Sequence, residues 1–142
     1  MALDDKQRQF VAEHPSAAMI TVGADGMPKP ARVGVAVVDG QVWSSGTQDR
    51  ARTKRLRRDP RCTLFIWAAG FEWLGIESTV TILDGPDAPE LNVQLFRVMQ
   101  NRPTGPLSWF GGEMDEPAFL DAMAAEGRLI YQFDVTRAYG MV

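Results

Sequence analysis

The sequence has little of the chemistry that builds metal and thiol sites, since it contains one cysteine, Cys62, and one histidine, His14. A single cysteine cannot form a disulfide within the chain, and the lone histidine lies too far away in sequence to give a zinc-type ligand spacing. We therefore expect no metal centre and no thiol chemistry, with Cys62 acting as a small buried apolar group.

Long apolar runs and an excess of positive charge are also missing. No stretch approaches the ~20 apolar residues of a membrane span, and the polar, acidic start MALDDKQRQF is unlike a signal peptide. We expect a cytoplasmic protein without a membrane partner. The 142 residues, 45% of them hydrophobic, suit one compact domain, which we assign to residues 1–142.

The hydrophobic periodicity predicts a mainly β fold with helices between the strands. Helices are predicted at residues 4–13, 88–100 and 116–126, with a short one inside 50–61. Strands are predicted at 17–23, 31–38, 41–45, 61–67, 71–83 and 128–135. Asp-Gly pairs at 25–26 and 39–40 predict tight turns, so the first three strands form an antiparallel meander. Six antiparallel strands of this length favour a small barrel, because closure removes the exposed edges of an open sheet.

Three local patterns refine this prediction. Pro28 and Pro30 cannot donate ladder hydrogen bonds, which puts the start of their strand at a sheet edge or against something other than a neighbouring strand. Asp87, with Glu90 three residues later, resembles a capping box at a helix start. The segment 107–112 holds two aromatic residues and two glycines, and is either a lid or a loop tucked onto the core.

The segment 50–61, RARTKRLRRDPR, holds seven of the 15 Lys and Arg residues in a chain of net charge −3. Nucleic-acid binding is disfavoured, because the sequence pI is about 5.1 and the segment has no aromatic residue to stack on a base. For the cations at its end, a solvated helix face is the simpler interpretation; these are Arg57, Arg58 and Arg61.

The start of the same segment has a second interpretation, as a site for an anion. Arg50 and Arg52 lie just before the predicted helix, and Thr53 opens its first turn with a hydroxyl. Free N–H groups at a helix start point outward with the positive end of the helix dipole. A phosphate group fits this arrangement, and sequence alone leaves it beside the solvated alternative.

The strand predicted at 71–83 has an unusual second face. One face is apolar and suits the core, whereas Phe71 and Trp73 share the other face with Gly75. Aromatic rings beside a glycine suit stacking on a planar ligand, contact with a second subunit, or both. Trp67, in an apolar strand, is expected to pack in the core.

The order of these features resembles the split β-barrel oxidoreductases related to pyridoxamine 5′-phosphate oxidase. The resemblance rests on ADGMPKPARV, an aliphatic strand pair, RARTKRLRRDPR leading into a strand, a long aromatic-containing strand and the closing DVTRAYG. More narrowly, the chain is similar to the flavin and deazaflavin oxidoreductases that use coenzyme F420. One departure is Arg52, at a position that is usually lysine in that branch, which keeps the charge and changes its geometry.

The resemblance implies a split β-barrel homodimer that binds F420, or FMN as the alternative, in a groove between the subunits. It further implies hydride transfer from reduced F420 to an unsaturated or quinone-like small molecule; an FMN-dependent oxidoreductase and a non-catalytic F420, flavin or haem carrier are the alternatives. The cofactor phosphate would be held by Arg50, Arg52 and Thr53, with Lys54 nearby. Residues facing the ring or its linker would be Lys29, Arg32 and Ser45, with Phe71 and Trp73 covering the ring from the partner subunit.

Overall fold

The computed structural model describes residues 2–142, within which nine strands and four helices lie. The strands are β1 (Ser16–Val22), β2 (Pro28–Gly34), β3 (Ala36–Val38), β4 (Gln41–Thr47), β5 (Arg61–Trp67), β6 (Trp73–Leu83), β7 (Leu107–Trp109), β8 (Gly112–Met114) and β9 (Arg128–Met141). The helices are α1 (Asp5–Glu13), α2 (Ala51–Arg58), α3 (Ala88–Met99) and α4 (Glu116–Ala125). Seven strands form one antiparallel sheet in the order β2-β1-β5-β6-β9-β4-β3.

The sheet curls into a split barrel because its two edges belong to one chain segment. β2 pairs with β1 and β3 pairs with β4, although only Val35 separates β2 from β3. The N–H of Val35 donates to the carbonyl oxygen of Pro15 (2.8 Å) instead of joining a strand ladder. The single strand predicted at 31–38 is therefore wrong in detail. The structure has two strands there, β2 from Pro28 and β3 after the bend at Val35, so the main sheet has seven strands in place of the predicted six.

Alternation along the strands separates the barrel interior from an outer face. Met19, Leu64 and Ile76 are fully buried in the interior, as the period of two predicts. The edge position predicted for Pro28 and Pro30 is confirmed, because β2 has β1 as its one neighbour in the sheet.

β9 is longer than the predicted strand 128–135. Ser78 pairs with Val135 while Glu77 pairs with Arg137, so Thr136 is the extra residue of a β-bulge. Beyond the bulge the strand continues to Met141, and the alternation of inward and outward side chains is shifted by one residue. The bulge is the reason that a strict period of two ends the strand too early.

The three helices with predicted bounds begin and end within one residue of them, and the short helix predicted inside 50–61 is α2. A capping box of Asp4 and Gln7 starts α1, whereas Asp87 makes no side-chain cap on α3, so the capping box predicted there is wrong. The segment predicted as a lid or a tucked loop forms the β7–β8 hairpin, which is tucked: Leu107 is fully buried between α3 and α4. Within residues 2–142, the helices are too short or too polar to cross a membrane.

Candidate functional site

The start of α2 is fixed to the barrel by a buried hydroxyl pair. The Thr53 hydroxyl donates to the carbonyl oxygen of Thr47 at the end of β4 (2.7 Å) and also contacts the hydroxyl of Tyr131. Since Thr53 has one hydroxyl proton, Tyr131 donates in the second contact. Gly46 makes the approach possible, because a Cβ there would lie 2.3 Å from the Tyr131 hydroxyl.

Only part of the role predicted for Thr53 agrees with this geometry. Its side chain is fully buried and its hydroxyl is engaged inside the protein. Its backbone N–H, with those of Ala51 and Arg52, belongs to the first turn of the helix and has no carbonyl four residues earlier to bind within it. Thr53 can therefore offer an anion its backbone and not its hydroxyl.

The seven cations of segment 50–61 fall into two groups. Those toward the end of α2 and beyond it bind the protein's own surface: Arg57 pairs with Asp84 (3.0 Å) and Arg61 with Asp59 (2.8 Å). Arg55 and Arg58 also donate to β1 residues. By contrast, the cations at the helix start make no side-chain hydrogen bond or ion pair to any residue in 2–142; these are Arg50, Arg52 and Lys54.

Arg52 is the unusual member of this unpaired group. Its guanidinium carbon lies 5.9 Å from the centre of the Tyr131 ring, and its Nε atom is enclosed without a hydrogen-bond partner among the described residues. Burial lowers the pKa of the Arg52 guanidinium; Tyr131 opposes this shift, and the positive charges of Arg50 and Arg128 add to it. An enclosed donor without an acceptor costs free energy, so an anionic ligand that supplied one would be stabilised here.

Arg52 lines a pocket of about 210 Å3 between β2, β4, α3 and the start of β9. The lining contains three arginines and no acidic residue; it consists of Arg32, Val33, Gly34, Ser44, Ser45, Arg52, Phe96, Met99 and Arg128. Ser45 is held by a hydrogen bond from its hydroxyl to the Asn92 side-chain oxygen (2.6 Å). The pocket is chemically suited to an anion.

Of the nine predicted site residues, the structure brings three into this pocket: Arg32, Ser45 and Arg52. Arg50 and Lys54 are exposed at the helix start, and Lys29 is paired with Asp25 (3.2 Å). Phe71 is 90% exposed in the turn before β6, and Trp73 opens β6 on its outer face.

Sequence reasoning missed Arg128. An arginine that opens a strand after a glycine looks like an ordinary solvated residue, and no local spacing marks it. Its place in the pocket comes from the pairing of Arg128 with Thr47, across from the end of β4. The useful signal is therefore the pairing of the last strand with β4, which only the fold reveals.

An aromatic patch covers the outer face of the neighbouring strands. The ring centres of Phe65 and Trp67 lie 5.7 Å apart, those of Phe65 and Trp73 5.8 Å, and those of Trp73 and Tyr139 5.9 Å. Gly75 makes room for Tyr139, whose ring a Cβ at residue 75 would approach to 2.9 Å. Trp67 is 51% exposed, so its predicted core position is wrong: it alternates with the buried Ile66 and faces outward.

The patch and the anion pocket are joined by one row of paired residues. Arg32 pairs with Ala18, Ala18 with Phe65, Phe65 with Gly75, and Gly75 with Tyr139. Directly paired residues share a face of the sheet, so this row runs across the outer face from the pocket to the patch. A ligand with an anionic end and a planar end could span the two.

A larger pocket of about 520 Å3 lies on the same outer face, and its chemistry is different. Its charged lining residues are Arg61, already paired with Asp59, and Glu77, so the lining offers both signs of charge. Cys62 also lines it, and burial raises the pKa of this thiol to about 12. A thiol of this kind stays protonated near neutral pH and is a poor nucleophile.

The chain is similar to known proteins both in sequence and in fold. The family described as pyridoxamine 5′-phosphate oxidase matches residues 3–139. No curated protein matches the sequence. Among solved structures, the conserved hypothetical protein Rv2991 of Mycobacterium tuberculosis is 21% identical, with a TM-score of 0.76 over 99% of this chain and 86% of that one.

Two further structures have stated activities of their own. An F420 reductase is 16% identical, with a TM-score of 0.67 over 91% of this chain and 93% of that one. The haem-storage protein HutZ of Vibrio cholerae is 14% identical, with a TM-score of 0.66 over 99% and 95%. At these identities the likenesses show a shared fold and no more. Because the family match spans almost the whole chain and the fold agrees with it, the chain belongs to the pyridoxamine 5′-phosphate oxidase family.

Proposed function

We propose that this protein is an F420-dependent oxidoreductase that works as a homodimer and reduces an unsaturated or quinone-like small molecule. The observation that carries the proposal is the enclosed, unpartnered Nε of Arg52 in a pocket lined by three arginines and no acid. Such a donor set suits a phosphoryl group, which supplies several strong acceptor oxygens. The residues present therefore fit the charged end of a flavin-type cofactor.

The N-terminus of α2 adds to this fit. The backbone N–H groups of its first turn are oriented by the Thr53 and Tyr131 hydroxyl pair, which holds the helix start against the barrel. Arg52 would hold the phosphoryl group from inside the pocket and Arg50 from the exposed side. Lys54, also exposed and unpaired among residues 2–142, lies in the same helical turn as Arg50 and adds charge there.

F420 is favoured over FMN by the amount of unpaired positive charge. FMN ends in one phosphate, whereas F420 carries a phosphodiester and an acidic glutamyl tail. Two unpaired exposed cations beside a partly buried arginine suit the more extended anion. The F420 reductase with the same fold supports this choice without deciding it.

The planar ring would lie on the outer face of the sheet beside Arg32, where the paired row leads to the aromatic patch. In a homodimer built on this face, Phe71 and Trp73 of a second copy would cover the ring. The 90% exposure of Phe71 in the single chain and the place of the half-buried Trp73 on the outer face support that role. Ser45, fixed by Asn92, and Lys29 on β2 would border the linker.

When bound, reduced F420 supplies a hydride to an electron-poor carbon or quinone. The chain's own residues orient the cofactor by its charged end and exclude water from the ring by apolar contact. No side chain is assigned as a proton donor, because burial keeps the Cys62 thiol from giving up its proton and the ring of His14 packs against Phe10 (4.3 Å between ring centres) at the end of α1. A proton from water completes the reduction.

A fluorescence titration with F420 and FMN tests this proposal. Replacing Arg52 by Gln removes the enclosed donor, and we expect affinity for F420 to fall by about 10-fold to 100-fold, equivalent to about 1.5–3 kcal/mol. Arg58→Gln, which removes one charge from the far end of the same helix, should leave the affinity unchanged.

The outcomes separate the alternatives. Unchanged F420 affinity in the Arg52 variant would reject the site, and binding of FMN in preference to F420 would favour the flavin enzyme. Anaerobic turnover of reduced F420 with a panel of enones and quinones distinguishes an enzyme from a carrier. A protein that binds haem or F420 tightly but reduces none of the panel would be a carrier.

A further inference from the structure

Arg128 contributes to the pocket in a way that the phosphate site does not require. Its side chain is only 11% exposed and lines the same pocket as Arg52. Its Nε donates to Glu126 Oε1 (3.0 Å), and its Nη2 lies 2.9 Å from the same oxygen. The guanidinium also stacks on Trp109, with 4.9 Å from its central carbon to the ring centre.

Glu126 and Trp109 fix the orientation of this arginine. Trp109 Nε1 donates to Glu126 Oε2 (2.9 Å), so the carboxylate bridges the β7–β8 hairpin and the start of β9. The contacts with Glu126 occupy one edge of the guanidinium. The remaining nitrogen, Nη1, makes no hydrogen bond to any residue in 2–142 and, unlike Nε of Arg52, it is still open to solvent, so a ligand in the pocket can reach it.

The donors in the pocket therefore exceed what one phosphoryl group uses. Arg52 and the start of α2 form one donor set, and Arg128, which opens β9 beside the end of β4, forms another. The two are close enough for the charge of Arg128 to disfavour the charged form of Arg52. Like charges held together in a partly buried pocket are stabilised by a ligand that brings negative charge to both.

We propose that Arg128 is a specificity-determining residue that binds a second anionic group of the cofactor, separate from the phosphoryl group at Arg52. This inference rests on the proposed function and adds to it the distinction between ligands with one anionic group and ligands with two. Glu126 acts as a positioning residue, which holds Nε and Nη2 and leaves Nη1 for the ligand. FMN would engage Arg52 alone, whereas the acidic tail of F420 would also engage Arg128.

Titration of three variants with F420 and with FMN tests the assignment. Arg128→Gln should weaken F420 binding by at least about 10-fold and FMN binding by less than about threefold. Arg52→Gln should weaken both. Glu126→Gln keeps one acceptor oxygen for Trp109 and turns its amide NH2 toward Arg128, so Arg128 loses its positioning contact; F420 binding should weaken by about threefold or more, with a smaller effect on FMN binding. Lys6→Gln, on the exposed face of α1, is the charge-matched control and should change neither.

Each result bears on one of the two proposals. Equal loss of F420 and FMN affinity in Arg128→Gln would show that Arg128 only supports the pocket, and would overturn the inference while leaving the Arg52 site intact. Equal loss of F420 and FMN affinity in Glu126→Gln would overturn it as well, and this variant keeps the test decisive if Arg128→Gln fails to fold. If the unmodified protein binds neither cofactor, the proposed function and this inference both fail.

Discussion

Gly46 determines where the start of α2 can lie, because the ring of Tyr131 passes over it. A side chain at residue 46 would place its Cβ 2.3 Å from the Tyr131 hydroxyl, far inside van der Waals contact. Tyr131 would have to move and would lose its hydrogen bond to Thr53, which holds the first turn of the helix. The absence of a side chain at residue 46 thus leaves room for Tyr131, which in turn fixes the helix start that borders the anion pocket.

We expect Gly46→Ala to lower the free energy of unfolding by about 1–3 kcal/mol, as overpacking of a filled core does. It should also weaken F420 binding, since Arg52 lies over the displaced Tyr131 ring. Urea unfolding and the F420 titration measure the two effects. Gly70→Ala is the matched control, because nothing lies within 4 Å of a Cβ at that position. Wild-type stability in the Gly46 variant would show that Tyr131 has another place to go.

The residues of the pocket differ in how far sequence could identify them. Arg52 follows from a local pattern, two arginines and a helix start within a few positions. Ser45 and Arg32 followed from a resemblance, and the structure places both in the pocket lining. Arg128 lies 76 residues after Arg52 in the sequence, and it reaches the pocket through the pairing of β4 with β9. Long-range pairing of this kind leaves no trace in a local pattern.

α2 carries a charge pattern that opposes its own stability. Its N-cap residue is Arg50, which provides no side-chain cap, and its first turn contains no acidic residue. An N-cap acceptor and a negative charge near the helix start would each stabilise it. A helix that has arginine there keeps its first N–H groups free, which is consistent with a function for them.

Replacing Arg50 by Asp should separate stability from function. We expect the free energy of unfolding to rise by about 1 kcal/mol, because the new carboxylate caps the helix, while F420 affinity falls at least about 10-fold. Urea unfolding and fluorescence titration on the same preparation report both quantities.

The matched control for this helix start is Asp115→Ala at the N-cap of α4, where the carboxylate accepts from the Ala118 N–H (2.9 Å). It should lose about 1 kcal/mol of stability with no change in affinity. An Arg50 variant that binds F420 as tightly as the unmodified protein would remove Arg50 from the site.

The strands and helices were largely predictable, and the exceptions have physical causes. Helices 4–13, 88–100 and 116–126 follow from periodicity and stop signals, which act locally. The bend at Val35 was not predictable, because its N–H is satisfied by the carbonyl oxygen of Pro15, which lies between α1 and β1, 20 residues earlier in the sequence. The bulge at Thr136 interrupts the alternation that defines a strand in sequence, so β9 was predicted to end at 135.

The outer face of the barrel is the feature that one copy of the chain leaves unexplained. Phe65, Trp67, Trp73 and Tyr139 form a continuous aromatic surface that remains at least partly exposed. Contiguous apolar surface of this kind marks an interaction site, since leaving it in water is unfavourable. A second copy of the chain is the occupant we propose, because the same face leads through Arg32 to the anion pocket, where a cofactor between subunits would be held.

The dimer gives a prediction that a single substitution can test. Trp67→Glu puts a charge into the aromatic patch of the outer face, where a dimer built on that face would have to bury it without a partner. We expect the unmodified protein to sediment as a dimer and the variant as a folded monomer, because Trp67 is half-exposed and contributes little to the barrel interior. Val98→Glu, at a comparably exposed apolar position on α3 (47%), should remain dimeric.

F420 affinity should fall in the Trp67 variant alone, since the monomer keeps the arginines and loses the cover over the ring. A Trp67 variant that stays dimeric, or an unmodified protein that sediments as a monomer, would place the subunit contact elsewhere and separate the anion pocket from it.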